Sequence, residues 1–178
     1  MKSQRLRWFL RQVSDRWVSV LISICALSLA IYTAYLERQH KRLSVQPHIY
    51  MSFYFNDQGA GWMTGNSGLG PAVIKWFTVY VDGKQQPTWA AVMKTLGIPA
   101  GAFEFSTLFP GELKATGGPA KIFWVPSGPR SKALIRDYSR VQLEVCYCSL
   151  YDECWKLTSV VGSRQRSDCW KTPPAEIK

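Results

Sequence analysis

Four of the chain's five cysteines, Cys146, Cys148, Cys154 and Cys169, crowd toward the C-terminus, while Cys25 stands apart in an apolar segment. Residues 141–149 and 154–161 read as the two strands of a hairpin. In the first strand Val141, Leu143, Val145 and Tyr147 share a face, so Cys146 and Cys148 point to the other. Trp155 and Leu157 match that apolar face on the return strand, which places Cys154 with the cysteines. Pairing Cys148 opposite Cys154 sets Tyr147 opposite Trp155 and Val145 opposite Leu157, a register consistent along its length. Cys169 then reaches Cys146. An even number of cysteines in an exported domain points to two disulfides. The alternative is a metal site on Cys146, Cys148, Cys154 and Cys169, since clustered thiolates suit zinc or Cu(I). Against that alternative, the spacing lacks a Cys-x-x-Cys pair, and an oxidising compartment consumes free thiols.

Other catalytic chemistry is thinly represented. The histidines are His40 and His48 alone, one in a juxtamembrane stretch and one opening a strand, so a histidine base has few places to be built. Asp152-Glu153 is an acidic pair on a turn, where carboxylates are ordinarily solvated. Gly68-Leu69-Gly70-Pro71 has the glycines of a phosphate nest but no following Lys-Ser/Thr, and a turn accounts for it. The expectation is a protein that is not an enzyme, with no cofactor and no small-molecule substrate.

The elements that must position these residues begin with an anchor. Residues 17–36 contain no charged side chain. At helical rise they cover about 30 Å, the thickness of a bilayer's hydrocarbon. Trp17 stands at one end, with Tyr32 and Tyr35 near the other, as interfacial aromatics do. The competing reading is a cleaved signal peptide ending near Ser28-Leu29-Ala30, but the apolar run continues to Leu36 and favours an uncleaved helix. Eight basic residues in 1–45, against Asp15 and Glu37, concentrate a net +6 of the chain's +10 beside this segment. That distribution suits anionic lipid headgroups rather than nucleic acid, for which the remainder of the chain offers no basic run. Five Lys/Arg precede the span and three follow it within a similar distance. The bias places residues 1–16 in the cytoplasm and the bulk of the chain outside. Leu6, Phe9, Leu10, Val13 and Trp17 recur at helical spacing, as in an interfacial helix. Ala26, Ala30 and Ala34 recur every fourth residue, a spacing at which a second helix can approach closely.

After a polar linker at 37–46, residues 47–162 carry strand patterns. Ile49, Met51, Phe53 and Phe55 alternate with His48, Tyr50, Ser52 and Tyr54. Residues 60–66 form a second strand, and 66–71 are dense in turn formers. Residues 73–81, β-branched and aromatic on both faces, make a central strand closed by Asp82-Gly83. Residues 89–96 form a short helix between Pro87 and Gly97. Shorter strands follow at 103–108, 113–116 and 122–125, then a helical turn or loop at 129–138 and the cysteine hairpin. Residues 163–178 are a loose tail. Hydrophobic residues are 47% of the chain and charged residues 19%, enough for one packed core. Seven or eight short strands with frequent turns predict a mainly β fold, a β-sandwich behind a single N-terminal transmembrane helix.

The order of these turns resembles the CARDB and fibronectin-like immunoglobulin-like modules of bacterial surface proteins. The resemblance rests on Asn66-Ser67-Gly68 before a long strand that ends in Tyr80-Val81-Asp82-Gly83, on Pro110-Gly111-Glu112, and on the terminal hairpin at 141–161. It covers most of residues 46–162. The chain departs from those modules in the insertion between Asp82 and Phe103 and in the cysteine cluster. The resemblance implies a bacterial single-pass inner-membrane protein whose immunoglobulin-like domain, periplasmic or extracellular, binds rather than catalyses.

Six tryptophans lie beyond the membrane segment, at 62, 76, 89, 124, 155 and 170. In a simple sandwich Tyr50 and Tyr54 on one strand and Ile74, Trp76 and Tyr80 on another point away from the core. Either the insertion at 87–97 covers them or a partner does. Tyr50, Tyr54 and Trp76 are therefore the candidate interaction residues of the domain, and Ala26, Ala30 and Ala34 those of the helix. The expected function is an accessory or assembly subunit that meets membrane lipid and other membrane or envelope proteins. A cysteine-based metal-handling or redox protein is the alternative.

Overall fold

The computed structural model describes residues 2–106, 108–159 and 164–169, with side chains from Trp17 onward. It divides into two compact units, residues 1–43 and 44–178. The first is a single helix, α1 (Lys2–Ser44). Its stretch Trp17–Ser44 contains an 18-residue window of mean hydropathy 2.0, with none of that window buried. It is long and apolar enough to cross a membrane. The polar stretch at 37–46, read as a linker, is instead helical as far as Ser44. Residues 37–44 contain neither proline nor glycine, and Glu37 pairs with Lys41 one turn on at 2.7 Å. Helicity ends where Pro47 approaches. The side chains of Leu6, Phe9, Leu10 and Val13 lie outside the described residues.

The second unit is mainly β. Strands β1 (Ile49–Asn56), β2 (Gly59–Asn66), β7 (Gly117–Pro126) and β5 (Glu104–Phe105) form an antiparallel sheet in the order β1-β2-β7-β5. A second sheet runs β10 (Arg164–Arg166), β9 (Cys154–Thr158), β8 (Val141–Cys148), β3 (Ala72–Val81), β4 (Lys84–Gln86), with β6 (Leu113–Lys114) also paired to β3. Ile49, Trp62, Ile122, Phe123 and Val125 of the first sheet share one core with Ile74, Phe77, Val79, Leu143, Val145 and Tyr147 of the second. β3 is an inner strand, as its two apolar faces require. Residues 164–166, read as loose tail, extend the second sheet as β10. The remainder of that tail, 170–178, and residues 160–163 lie outside the described residues.

Helix α2 (Trp89–Thr95) decides how the core is filled. Thr88 caps it by accepting from the Ala91 amide at 3.1 Å, and Gly97, at φ +69°, turns the chain away beyond Leu96. Its buried face is Trp89, Val92 and Met93. The Trp89 ring stacks on Phe123 with centroids 4.4 Å apart and meets Trp62 and Phe77 at 6.3 and 6.4 Å. The insertion at 87–97 thus plugs the core itself. Helix α3 (Pro129–Asp137) buries Leu134 against the same core.

Asn66 ties the start of the domain together. It is 1% exposed, and its amide meets four backbone groups. Its carbonyl accepts from His48 and Gly68, both at 3.0 Å, and its nitrogen donates to Gly70 at 2.8 Å and Lys114 at 3.1 Å. β1, the turn after β2 and β6 are joined through this one side chain. Asn66→Ala removes up to four hydrogen bonds at about 0.5–1.5 kcal/mol each. The expected loss is about 2–4 kcal/mol of unfolding free energy, measured by urea denaturation. A loss under about 1 kcal/mol would show that the turn holds without its amide.

Candidate functional site

β8 is buried on both faces, and the cysteine cluster is the reason. On the core side lie Val141, Leu143, Val145 and Tyr147, and on the outer side Cys146 and Cys148. The β8–β9 register sets Cys148 opposite Cys154, Tyr147 opposite Trp155 and Val145 opposite Leu157. Cys148 and Cys154 form one disulfide, with Cα atoms 4.0 Å apart, and Cys146 and Cys169 form the other at 5.8 Å. The first closes the hairpin tip, where Ser149 organises the turn: its amide donates to the Glu153 carbonyl at 2.8 Å and its hydroxyl accepts from the Tyr151 amide at 3.2 Å. The second draws Cys169, beyond β10, back across the face of β8. The two bridges touch, since the sulfurs of Cys148, Cys154 and Cys169 all lie within 4.8 Å of one another.

Trp76 belongs to this cluster and not to an exposed surface. It is 7% exposed, packed against Cys146, Cys148, Cys154 and Cys169. The ammonium of Lys156 stands 5.8 Å from its ring centre and also pairs with Glu144 at 2.9 Å. Covered in this way, Trp76 offers a partner no anchor, which corrects its candidacy as an interaction residue. Ile74 differs for another reason. A β-bulge at Lys75 adds one residue to β3, so Ile74 pairs with Tyr147 and Phe77 with Val145, both on the core face, while Trp76 pairs with Cys146 on the outer one. Strict alternation had grouped Ile74 with Trp76.

Tyr50 and Tyr54 lie on the outer face of the other sheet, so the domain's three candidate aromatics do not converge. Tyr50 stands opposite Gly65 and Tyr54 opposite Gly61. The Tyr50 ring lies so close over Gly65 that a Cβ there would meet the hydroxyl at 2.4 Å. Gly61 pairs on its other side with Trp124, and Tyr54 and Trp124 approach across it to 6.4 Å. Lys121 covers the Trp124 ring at 5.0 Å and bonds Glu104 at 2.9 Å. Tyr54 remains 50% exposed, and Phe55 beside it 60%. Ala26, Ala30 and Ala34 are exposed along α1.

Beyond the cysteines, the charged groups of the domain work as fasteners. At the β3–β4 turn Asp82 pairs with Arg140, whose hydrogen bonds hold the carboxyl below its ordinary range. Arg136 does the same to Asp137. Arg164 lies flat on Trp155, 3.9 Å from the ring centre, with its Nη1 3.3 Å from Nδ1 of His48. His48, itself exposed, thus meets a guanidinium that is already seated on Trp155. Tyr147, beneath, makes no hydrogen bond of good geometry through its hydroxyl among the described residues, and burial pushes its phenol above the usual value against the weaker pull of Arg164 and the Ile49 backbone. A cavity of about 490 Å³ opens beside α2 over Met93, Ile98 and Phe103. Arg130 fixes its rim by donating to the carbonyls of Pro99, Gly101 and Ala102 at 2.8–3.1 Å.

The strand β1 was read from the sequence; what sequence reasoning missed is its place in the sheet. It forms one edge of its sheet over eight residues, Ile49–Asn56, none of them charged. The signal was legible as an uncharged run ending in three exposed or half-exposed aromatics, Phe53, Tyr54 and Phe55. Alternation alone could not say which strand would be an edge.

These features define a mainly β domain of antiparallel sheets with two paired cysteine bridges, preceded by one apolar helix of membrane-spanning length. No family model matches the chain, and no curated protein and no solved structure matches it either.

Proposed function

We propose that this chain is a single-pass membrane protein whose outer domain, an immunoglobulin-like sandwich, is an interaction module of a larger envelope assembly. The N-terminus is cytoplasmic and the domain lies on the periplasmic or extracellular side of a bacterial inner membrane. Its partners are membrane lipid and another membrane or envelope protein, and its work is binding rather than catalysis. The basic bias before the span and the two bridges both favour an oxidising exterior. The observation that carries the binding role is the exposed aromatic ring of Tyr54, over a buried Trp124 and on an uncharged edge strand. Large aromatics half in solvent and half on a packed floor are the anchors that interfaces favour.

Two measurements test this reading. A reporter fused after Lys178 should be active outside the cytoplasm, and cytoplasmic activity would overturn the orientation. Tyr54→Ala should release the partner that co-purifies in mild detergent while both disulfides and the circular dichroism stay unchanged. Full retention of the partner would remove Tyr54 from the interface.

The packing of three sulfurs within 4.8 Å supports a second reading, a metal-handling or redox centre. Reduced, the bonded sulfurs of Cys148 and Cys154 would have to part and that of Cys169 to close on them to reach the roughly 3.8 Å separation of a tetrahedral zinc–thiolate site. A thiol count on protein taken directly from the envelope, with and without reductant, separates the two. Four protected thiols in the domain would favour the metal.

A further inference from the structure

The four edges of the two sheets are unequal. β5, β10 and β4 are two, three and three residues long, whereas β1 has eight. Short edges are one of the ordinary ways by which β proteins avoid pairing with other chains. Others are charge, proline and bulges. β1, Ile-Tyr-Met-Ser-Phe-Tyr-Phe-Asn, has none of them: it holds no Lys, Glu, Asp, Arg or Pro, and all eight residues pair with β2 in unbroken register. Among the described residues nothing pairs with its outer edge.

We infer that this edge is taken by a second copy of the same chain, β1 pairing antiparallel with β1 across a twofold axis. The inference rests on the reading of the domain as a membrane-anchored interaction module and names one partner for it. The strand is self-complementary about Ser52. With Ser52 opposite its own copy, Met51 faces Phe53, Tyr50 faces Tyr54 and Ile49 faces Phe55. Each is an aliphatic–aromatic or aromatic–aromatic cross-strand pair, the kinds that stabilise sheets, and no like charges meet. The small, exposed Ser52 allows close approach at the axis. A foreign strand selected by charge would find no charge on β1 to read. Two chains anchored in one bilayer also meet at a far higher effective concentration than two free domains.

The face beside this edge has room for the incoming side chains. Phe53 stacks on Tyr138 at 4.5 Å, and a groove of about 230 Å³ opens between Met51, Phe53, Tyr138 and Ser159. Phe53 and Met51 of the second copy would cover its β1 side.

The test uses the full chain in native membranes, with Cys25→Ser to remove the helix thiol. Ser52→Cys should form a disulfide-linked dimer on a non-reducing gel, whereas Lys84→Cys, exposed on the short edge β4, should not. Ser52→Lys, which sets two ammonium groups together at the axis, should convert a dimer in mild detergent to a monomer. Mapping of the Cys146–Cys169 and Cys148–Cys154 bridges by mass checks that the fold is intact. A wild-type monomer, equal cross-linking at positions 52 and 84, or a Ser52→Lys protein that stays dimeric would each overturn the pairing. Should the wild type be monomeric yet retain a different protein that Tyr54→Ala releases, self-pairing falls and the interaction module stands. A β1-linked dimer that retains no other protein would leave self-pairing and remove the heterologous partner.

Discussion

Replacing Trp89 with alanine is expected to cost the outer domain about 3–5 kcal/mol, the range for emptying a large aromatic site in a packed core. Trp89 is 1% exposed and touches aromatic rings from both sheets, Trp62 and Phe123 on one and Phe77 on the other. It is the side chain through which a seven-residue helix fills the space between the sheets. Deleting the indole removes its buried apolar area and leaves a cavity that α2, capped by Thr88 at one end and turned by Gly97 at the other, cannot easily close. Trp89→Phe should retain more than half of the stability that alanine loses, because a phenyl ring can keep the stack on Phe123. Urea denaturation followed by near-ultraviolet circular dichroism reads both variants. A loss under about 1 kcal/mol for the alanine variant would mean that α2 is an appendage and the core closes without it.

Removing the bridges pairwise should give two unequal losses. Cys146–Cys169 closes a loop of sequence separation 23 and Cys148–Cys154 one of 6. Loop-closure entropy assigns about 3.4 kcal/mol to the first and about 2.4 kcal/mol to the second. The double variant Cys146→Ser/Cys169→Ser is therefore expected to be less stable than Cys148→Ser/Cys154→Ser by about 1 kcal/mol. Replacing both partners together avoids a leftover thiol that could exchange with the remaining bridge. Loss of the longer bridge has a second consequence, since Cys169 helps to cover Trp76. Trp76 emission should move toward longer wavelength in that variant and stay near its native position in the other. The reverse order of stability would mean that closing the hairpin tip contributes more than tying down the segment after β10.

Tyr147 is expected to make the stability of the domain depend on pH in the alkaline range. Its phenol titrates above the usual value because burial disfavours the phenolate. The stability linked to it is complete below the unfolded pKa and is lost as pH rises through the folded one. Tyr147→Phe should make the unfolding free energy less dependent on pH above 10, the ordinary tyrosine value.

Local chemistry was enough for several parts of this protein. The apolar segment depends only on composition and length, since a bilayer tests one helix at a time. The cysteine hairpin depends only on alternation, since a one-residue slip would have sent Tyr147, Trp155, Val145 and Leu157 to the wrong face. Helix α2 was marked by Pro87 and Gly97, and β3 by a run apolar on both sides. Each of these rests on neighbours in the chain. The tertiary structure decided what depends on distant partners. A bulge at Lys75, opposite β8, moved Ile74 into the core and left Trp76 outside it. Cys169, far along the chain, turned Trp76 from a surface residue into a buried one. The destination of Trp89 depended on Phe123 and Trp62, and β10 on an edge supplied by β9. That β1 would stand at the rim of its sheet followed from β2 choosing β7 as its other neighbour, because pairing is a competition among strands that period-two patterns leave equal.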